Sequence, residues 1–355
     1  MRNWTEYRRD LDALHLTEEQ KQSLAAQVAA AAEGAAAPVR RRRPMRRIAV
    51  VSAAAVLVLA VGTAGATGAL KSMSDAFAGV FRNAAETKVI ENIGHPIGAS
   101  DTDNGLTITA DAILGDKYSV CVVYTLTADD PTLWEGLESK SDAGYLPLMF
   151  HQDDLDLGMR GGSHGGSYFI DQVPGDNEIQ FVETQTFDKA LNPGGTAKVI
   201  FRDLVAPGSD DTTTRTLAKG KWVLKFDLNF QDSSQTLPGG KSFQQDDLTF
   251  TVDALTISPL SFTVNYTVDQ EIQWSDSESG KRNPADAEQE ARFFENLPVQ
   301  LTKTDGSVLD LSNSGGSIRP ENGTTICTKS GQFDEILDLK DVASITVGDI
   351  VFPLG

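Results

Sequence analysis

Cysteine and histidine are scarce in this sequence: two cysteines, Cys121 and Cys327, and four histidines, at 15, 95, 151 and 164, stand in 355 residues. Two thiols cannot build the disulfide framework of a small secreted module. No histidine lies at a zinc-ligand spacing from another histidine or from either cysteine, so no metal site is expected. The chain reads as having no nucleophile elbow, phosphate loop or dinucleotide fingerprint, which leaves enzyme chemistry without a constellation and calls for no cofactor. Both thiols are expected to be free. Paired carboxylates such as Asp129-Asp130 and Asp210-Asp211 read as an acidic, soluble surface.

Long apolar runs are also missing, with one exception. Residues 48–70 form a stretch of 23 residues without a charge, which as a helix spans roughly 35 Å, enough for a hydrocarbon core. Electrostatic character changes at this place. Residues 1–47 carry ten Lys/Arg and six Asp/Glu, whereas residues 71–355 carry 21 against 44. Arg40, Arg41, Arg42, Arg43, Arg46 and Arg47 crowd the N-terminal flank of the run, and Lys71 stands nearly alone on the other side. By the positive-inside rule the span is single, the N-terminus cytoplasmic and the C-terminal region extracellular, at the cell membrane. A basic patch for nucleic acid is set aside because the cluster abuts an apolar run, so no direct nucleic-acid binding is expected. A cleaved secretory signal is the alternative for 48–70, but a basic region 47 residues long exceeds what such a signal needs.

Within 1–47, Trp4, Tyr7, Leu11 and Leu14 fall at steps of three and four, one face of a helix. A second helix is expected from Thr17, where Thr-Glu-Glu-Gln forms a capping box. Two such helices bury little, so the stripe Trp4, Tyr7, Leu11, Leu14 is a candidate docking face; packing of the helices on each other or on the membrane surface is the alternative.

The external part repeats itself. At an offset of 142 residues, Leu106-Thr-Ile-Thr-Ala-Asp-Ala112 answers Leu248-Thr-Phe-Thr-Val-Asp-Ala254, and Tyr118 to Leu126 answers Leu260 to Val268. Farther on, Phe187-Asp188 and Asp203-Leu-Val205 answer Phe333-Asp334 and Asp349-Ile-Val351. Short alternating runs divided by Gly, Pro, Asn and Asp predict antiparallel sandwiches. One face of the second strand, Tyr118, Val120, Val122, Tyr124 and Leu126, is expected as core, and the other, Ser119, Cys121, Val123 and Thr125, as mostly polar surface. Trp222, Leu224, Phe226, Leu228 and Phe230 alternate cleanly and close the first unit, with no counterpart expected in the second. His151 to Asp156 and Gly161 to Gly166 read as solvated loops; oxygen donors there would suit calcium, but no complete calcium-loop spacing is met.

The expected fold class is therefore mainly β: two tandem Ig-like antiparallel β-sandwich domains outside, one transmembrane helix and a short α-helical cytoplasmic segment. The expected boundaries are 1–47 cytoplasmic, 48–70 span, 71–99 membrane-proximal stalk, 100–233 first sandwich, 234–246 linker and 247–355 second sandwich.

The stretch Tyr7-Arg8-Arg9-Asp10-Leu11-Asp12-Ala13-Leu14-His15-Leu16-Thr17-Glu18-Glu19-Gln20-Lys21, followed by a basic cluster and one span, resembles the transmembrane anti-sigma regulators of Gram-positive bacteria. The resemblance implies that the cytoplasmic helices bind a sigma factor and that the external part senses a signal. The zinc-type signature of such regulators is absent, since no cysteine precedes position 121. Residues 93–130, with Asp101-Thr-Asp-Asn-Gly-Leu-Thr-Ile-Thr-Ala-Asp-Ala112, resemble the ectodomain of unknown function that accompanies such regulators. The competing reading is a surface binding or adhesion protein, anchored by the same span, whose repeats take an unidentified external ligand.

Overall fold

The computed structural model describes residues 71–81, 87–139, 144–159, 161–208, 213–275 and 283–354. By its contacts the chain separates into Met1–Leu57 and Val58–Gly355, and every described residue belongs to the second unit. Trp4, Tyr7, Leu11 and Leu14, the six arginines from Arg40 to Arg47 and the expected span 48–70 lie outside the described residues. Among the described residues no helix is long and apolar enough to cross a membrane.

The protein is mainly β, and its sheets are antiparallel. Among the described residues two short helices come first, α1 (Met73–Ala76) and α2 (Thr87–Ile93). Strands β1 (Gly94–Asp103), β2 (Leu106–Gly115), β3 (Ser119–Ala128), β4 (Met149–Asp156), β5 (Ser163–Ile170), β6 (Glu178–Phe187), β7 (Thr196–Pro207) and β8 (Thr214–Asp227) follow. Then come β9 (Gln235–Gln245), β10 (Leu248–Ile257), β11 (Ser261–Val268), α3 (Pro284–Glu290) running into a π-helical turn (Ala291–Glu295), and β12 (Val299–Lys303). The chain ends in β13 (Val308–Asp310), β14 (Gly315–Glu321), β15 (Thr324–Gln332), β16 (Val342–Val347) and β17 (Ile350–Pro353).

The sheet orders are β1-β2-β3-β6-β5 with β4-β7-β8 in the first half, and β9-β10-β11-β15-β14 with β13-β12-β16-β17 in the second. Strand for strand the two five-membered sheets have the same order. Asn-Gly turns at Asn104-Gly105 and Asn322-Gly323, all four residues at positive φ, close β1-β2 and β14-β15. That is the backbone a tight hairpin needs, and asparagine followed by glycine adopts it at least cost.

Each half buries one face of each of its two sheets in a shared core. In the first, Val120, Val122, Tyr124 and Leu126 of β3 meet Phe201 of β7 and Trp222 of β8. Tyr124 and Phe201 pack edge to face with centroids 5.1 Å apart, and Phe181 and Phe201 do the same at 5.6 Å. Trp222 is fully buried because its indole N–H donates to the Leu106 carbonyl at 2.8 Å. In the second half Phe262, Val264, Tyr266 and Val268 take the places of Val120, Val122, Tyr124 and Leu126.

Four expectations need correction. Residues 234–246 are not a linker, because β9 pairs with β10 along most of its length. Its Pro238 is tolerated on an edge strand where the register shifts, and no Cβ fits at Gly239, which would lie 2.0 Å from the Asp253 carbonyl oxygen. Residues 71–99 are not a stalk, since α1, α2 and the start of β1 all lie there with Met73, Phe77, Ile90 and Ile93 buried. His151 to Asp156 and Ser163 to Gly166 are the edge strands β4 and β5, not loops. Finally, the Trp222 strand does have a counterpart: β17, paired with β16 beside β9 as β8 lies beside β1. Asp349-Ile350-Val351 opens that hairpin, whereas Asp203-Leu204-Val205 continue β7, so those two triplets are not equivalent in the fold.

Candidate functional site

Residues 71–81 and 87–93 lie as a strap across the outer face of the first five-stranded sheet. Ser72 caps α1, accepting from the Asp75 amide at 3.1 Å, and the strap residues Met73, Ala76, Phe77, Phe81, Ile90 and Ile93 are buried. They form one cluster with Ala112 and Leu114 of β2, Cys121 and Val123 of β3, Val182 of β6, and Leu260 and Ile336 of the second half. The face of β3 expected to be polar surface is thus interior, and Cys121 and Val123 are at 0% exposure. At about 1.5–3 kcal/mol for each large apolar side chain removed from water, this docking is substantial. The far end of the first helical stretch is tied to β5 and its following turn: Tyr168 Oη donates to the Val80 carbonyl at 3.3 Å, and Gln172 Nε2 donates to the Ala78 carbonyl.

The near end carries the charge. Lys71 Nζ donates to Thr125 Oγ1 at 2.9 Å and to Glu178 Oε2 at 3.2 Å, and lies 3.9 Å from Asp111 Oδ2. Thr125 Oγ1 in turn donates to Asp111 Oδ2 at 2.5 Å. Burial pushes the Asp111 carboxyl up to about 6, against the pull of the Thr125 hydroxyl and the Lys71 ammonium, with nearby Glu178 pushing the same way as burial.

The two halves meet at equivalent turns. Ser258 lies 142 residues after Asp116, and the two face each other: Ser258 Oγ and Ser261 Oγ each donate to Asp116 Oδ2 at 2.5 Å. Asp116 Oδ1 accepts from the Tyr118 and Ser119 amides, just as Ser258 Oγ accepts from the Leu260 and Ser261 amides. Asp116 therefore has four donors and no counter-cation among the groups acting on it, and burial raises its pKa. Gln332 Nε2 adds a bridge, donating to the Val120 carbonyl at 2.8 Å and the Gln185 carbonyl at 3.2 Å.

Two further ionisable groups are buried at matching places in the two cores. Glu183 of β6 pairs with Val122, and Lys329 of β15 pairs with Val264. Glu183 accepts from Tyr124 Oη at 3.3 Å, and burial, then the neighbouring Asp153, pushes its carboxyl up to about 7. Lys329 Nζ donates to the Phe294 carbonyl at 2.9 Å at the end of the π-helical turn and stacks 4.7 Å from the Phe294 ring; burial lowers it to about 8.

Cys121 and Cys327 are both free and buried, and burial pushes each thiol up to about 12. Among the described residues no three His, Cys, Asp or Glu side chains converge to hold a metal ion. A cavity of about 150 Å³ opens between Leu155, Leu157, Met159, Phe187 and Lys189 beside the β4–β5 connection. Gly161-Gly162-Ser163-His164-Gly165 does spell Gly-x-Ser-x-Gly, contrary to the reading above. Ser163 nevertheless opens an edge strand rather than a strand-to-helix turn, and His164 Nε2 lies 3.1 Å from the Ser330 carbonyl. The strap, the Asp116 contact and the buried Glu183 and Lys329 were not singled out from the sequence.

Residues 40–128 are similar to a family described as a domain of unknown function (DUF4179), a match over about a quarter of the chain. That stretch runs from the arginine cluster through the strap to the end of β3. No curated protein matches. A crystal structure described as that of the conserved domain protein from Bacillus anthracis aligns over 71% of this chain and 75% of its own, at 14% identity and a TM-score of 0.42. A likeness that slight carries no argument.

Proposed function

We propose that this chain is a membrane-anchored, anti-sigma-like regulator: residues 48–70 span the cell membrane, the cytoplasmic helices of 1–47 bind a sigma factor through Trp4, Tyr7, Leu11 and Leu14, and the external β region senses an extracellular or envelope signal. The observation that carries this reading is the strap. The chain leaves residue 70 directly into a segment packed on the first sheet, and that segment's cluster includes Leu260 and Ile336 of the second half. A display protein is served by a loose tether; a transmitter needs its sensing part joined to the span. This favours the regulator over the surface-binding or adhesion reading.

Within the external region we read two tandem Ig-like sandwiches related by duplication. The shared strand order, the paired turns at Asp116 and Ser258 and the paired buried sites at Glu183 and Lys329 support it.

Residues 1–47 used as bait should retain an extracytoplasmic-function sigma factor, and Leu11→Asp with Leu14→Asp should abolish retention. Failure of the bait to hold any sigma factor removes the regulatory reading. A phenotype that survives deletion of residues 1–33 supports the surface-binding alternative instead.

A further inference from the structure

The duplication supplies an internal control for what the strap does. Asp111 and Thr125 recur as Asp253 and Thr267, and the same hydrogen bond joins each pair, Thr267 Oγ1 donating to Asp253 Oδ2 at 2.7 Å. In the second half no segment among the described residues covers this bond as the strap does: Asp253 is exposed and Thr267 half-buried, whereas Asp111 and Thr125 are buried at 7% and 3% exposure. Ala254 and Asn265 are half-buried where Ala112 and Val123 are fully covered. The strap is therefore what takes the Asp111 carboxylate out of water.

We propose that docking of the strap is proton-linked: residues 71–81 and 87–93 hold tightly to the sheet while Asp111 carries a proton and loosen when it ionises. The charged groups acting on Asp111 are Lys71 from the strap and Glu178 from β6, of opposite sign. From β3 comes only the Thr125 hydroxyl, and β1 passes the bulge at Asp111 with Pro96 to Ala99, which bear no charge. Asp75 and Glu91 of the strap are exposed. Lys71 divides its attraction between two carboxylates and is itself partly exposed, at 31%, so it does not offset the desolvation of Asp111.

The sign follows from the direction of the shift. Burial raises Asp111 from 3.8 to about 6 in the docked state. The docked state thus binds the proton more tightly, and docking weakens as pH rises from about 4 to about 6, then stays weak above. The ceiling on the effect is the ratio set by those two values, about a hundredfold in the docking equilibrium. An envelope protein that loosens its membrane-proximal segment as the outside turns neutral would report acidity with the segment closest to its span.

Scission after Phe77, which is 3% exposed when docked, reads the strap in the full chain held in mild detergent. Wild type and Asp111→Asn are digested with chymotrypsin side by side at pH 8 and pH 5, so that the protease's own pH dependence cancels in the comparison. At pH 8 the wild type is expected to be cut after Phe77 up to about a hundredfold faster than Asp111→Asn, and at pH 5, midway through the window, that gap should narrow by about tenfold. Lys71→Met, which removes the one cation, should be cut faster still than wild type at pH 8 and no faster at pH 5. Equal rates for wild type and Asp111→Asn at pH 8 would overturn the inference, as would scission within β1 to β17 keeping pace with scission after Phe77, the mark of general unfolding. No cytoplasmic partner enters the assay, so its outcome is separable from that of the bait experiment.

Discussion

Glu183 offers the sharpest test of how the first core is held together. Its side chain lies on the same face of β6 as Phe181 and is 4% exposed, with the Tyr124 hydroxyl at 3.3 Å as its hydrogen-bond donor and Asp153 as a like-charged neighbour. Burial, chiefly, lifts the carboxyl from 4.5 to about 7. A folded-state value above the unfolded one means that the native state binds the proton better. Below about pH 4.5 both states are protonated and Glu183 costs nothing; between about 4.5 and 7 stability is progressively lost; above about 7 the full cost stands. At 1.36 kcal/mol per tenfold, that cost is about 3 kcal/mol. Glu183→Gln keeps the shape and accepts the Tyr124 hydrogen bond without a charge. Urea unfolding of the full chain in detergent, followed by tryptophan fluorescence, should show the variant more stable than wild type by about 2–3 kcal/mol at pH 8 and equal to it at pH 4.5. A variant less stable than wild type at pH 8 would refute the reasoning, because it would mean that the native core favours the ionised carboxylate.

Lys329 should behave as the mirror image. A buried ammonium lowered to about 8 opposes folding below that pH and ceases to do so as pH rises through 8 towards 10.5, so wild-type stability should climb across that interval by an amount that Lys329→Met lacks, read from urea midpoints at pH 7.5 and 10. Asp116→Ala leaves two serine hydroxyls and two amides of the inter-half contact without their acceptor; a loss of about 3 kcal/mol or more in urea unfolding is expected, with Asp116→Asn costing less. Gly239→Ala would place a methyl 2.0 Å from the Asp253 carbonyl oxygen, so β9 must shift, and a thermal midpoint unchanged from wild type would contradict its place in the sheet.

Repetition was the most legible feature of the sequence, and it led to the core faces of β3 and β11, because side chains on a strand alternate and the two copies keep one parity. It led less well where the copies part. There β17 has four residues against fourteen in β8, and a strand that short carries no alternation to read. Pro238-Gly239-Gly240 reads as a linker on composition, yet Pro96-Ile97-Gly98 stands 142 residues earlier at the same register shift in β1. Proline and glycine mark a bulge in an edge strand there. Edge strands β4 and β5 were hidden for a related reason: their outward residues are aspartates, serines and glycines, which blunt an edge against pairing and resemble loop residues.

The strap itself left a trace in the difference between the copies. Residues 120–124 read Val-Cys-Val-Val-Tyr, a continuous apolar run, where residues 262–266 read Phe-Thr-Val-Asn-Tyr and alternate. A strand wet on one face alternates, and a strand covered on both does not. Because the two halves share a strand order, Val123 in place of the half-buried Asn265 cannot reflect a change in the core, which lies on the other face, whereas Thr263 is already buried like Cys121. The exchange at Val123 reflects a second cover, which the strap supplies together with Leu260 and Ile336 of the second half. By that argument, replacing Cys121 and Val123 with the threonine and asparagine of the second copy should free the strap while leaving the first core folded. Scission after Phe77 should then become fast at pH 5 and pH 8 alike, with the burial of Trp222, read by its fluorescence, unchanged.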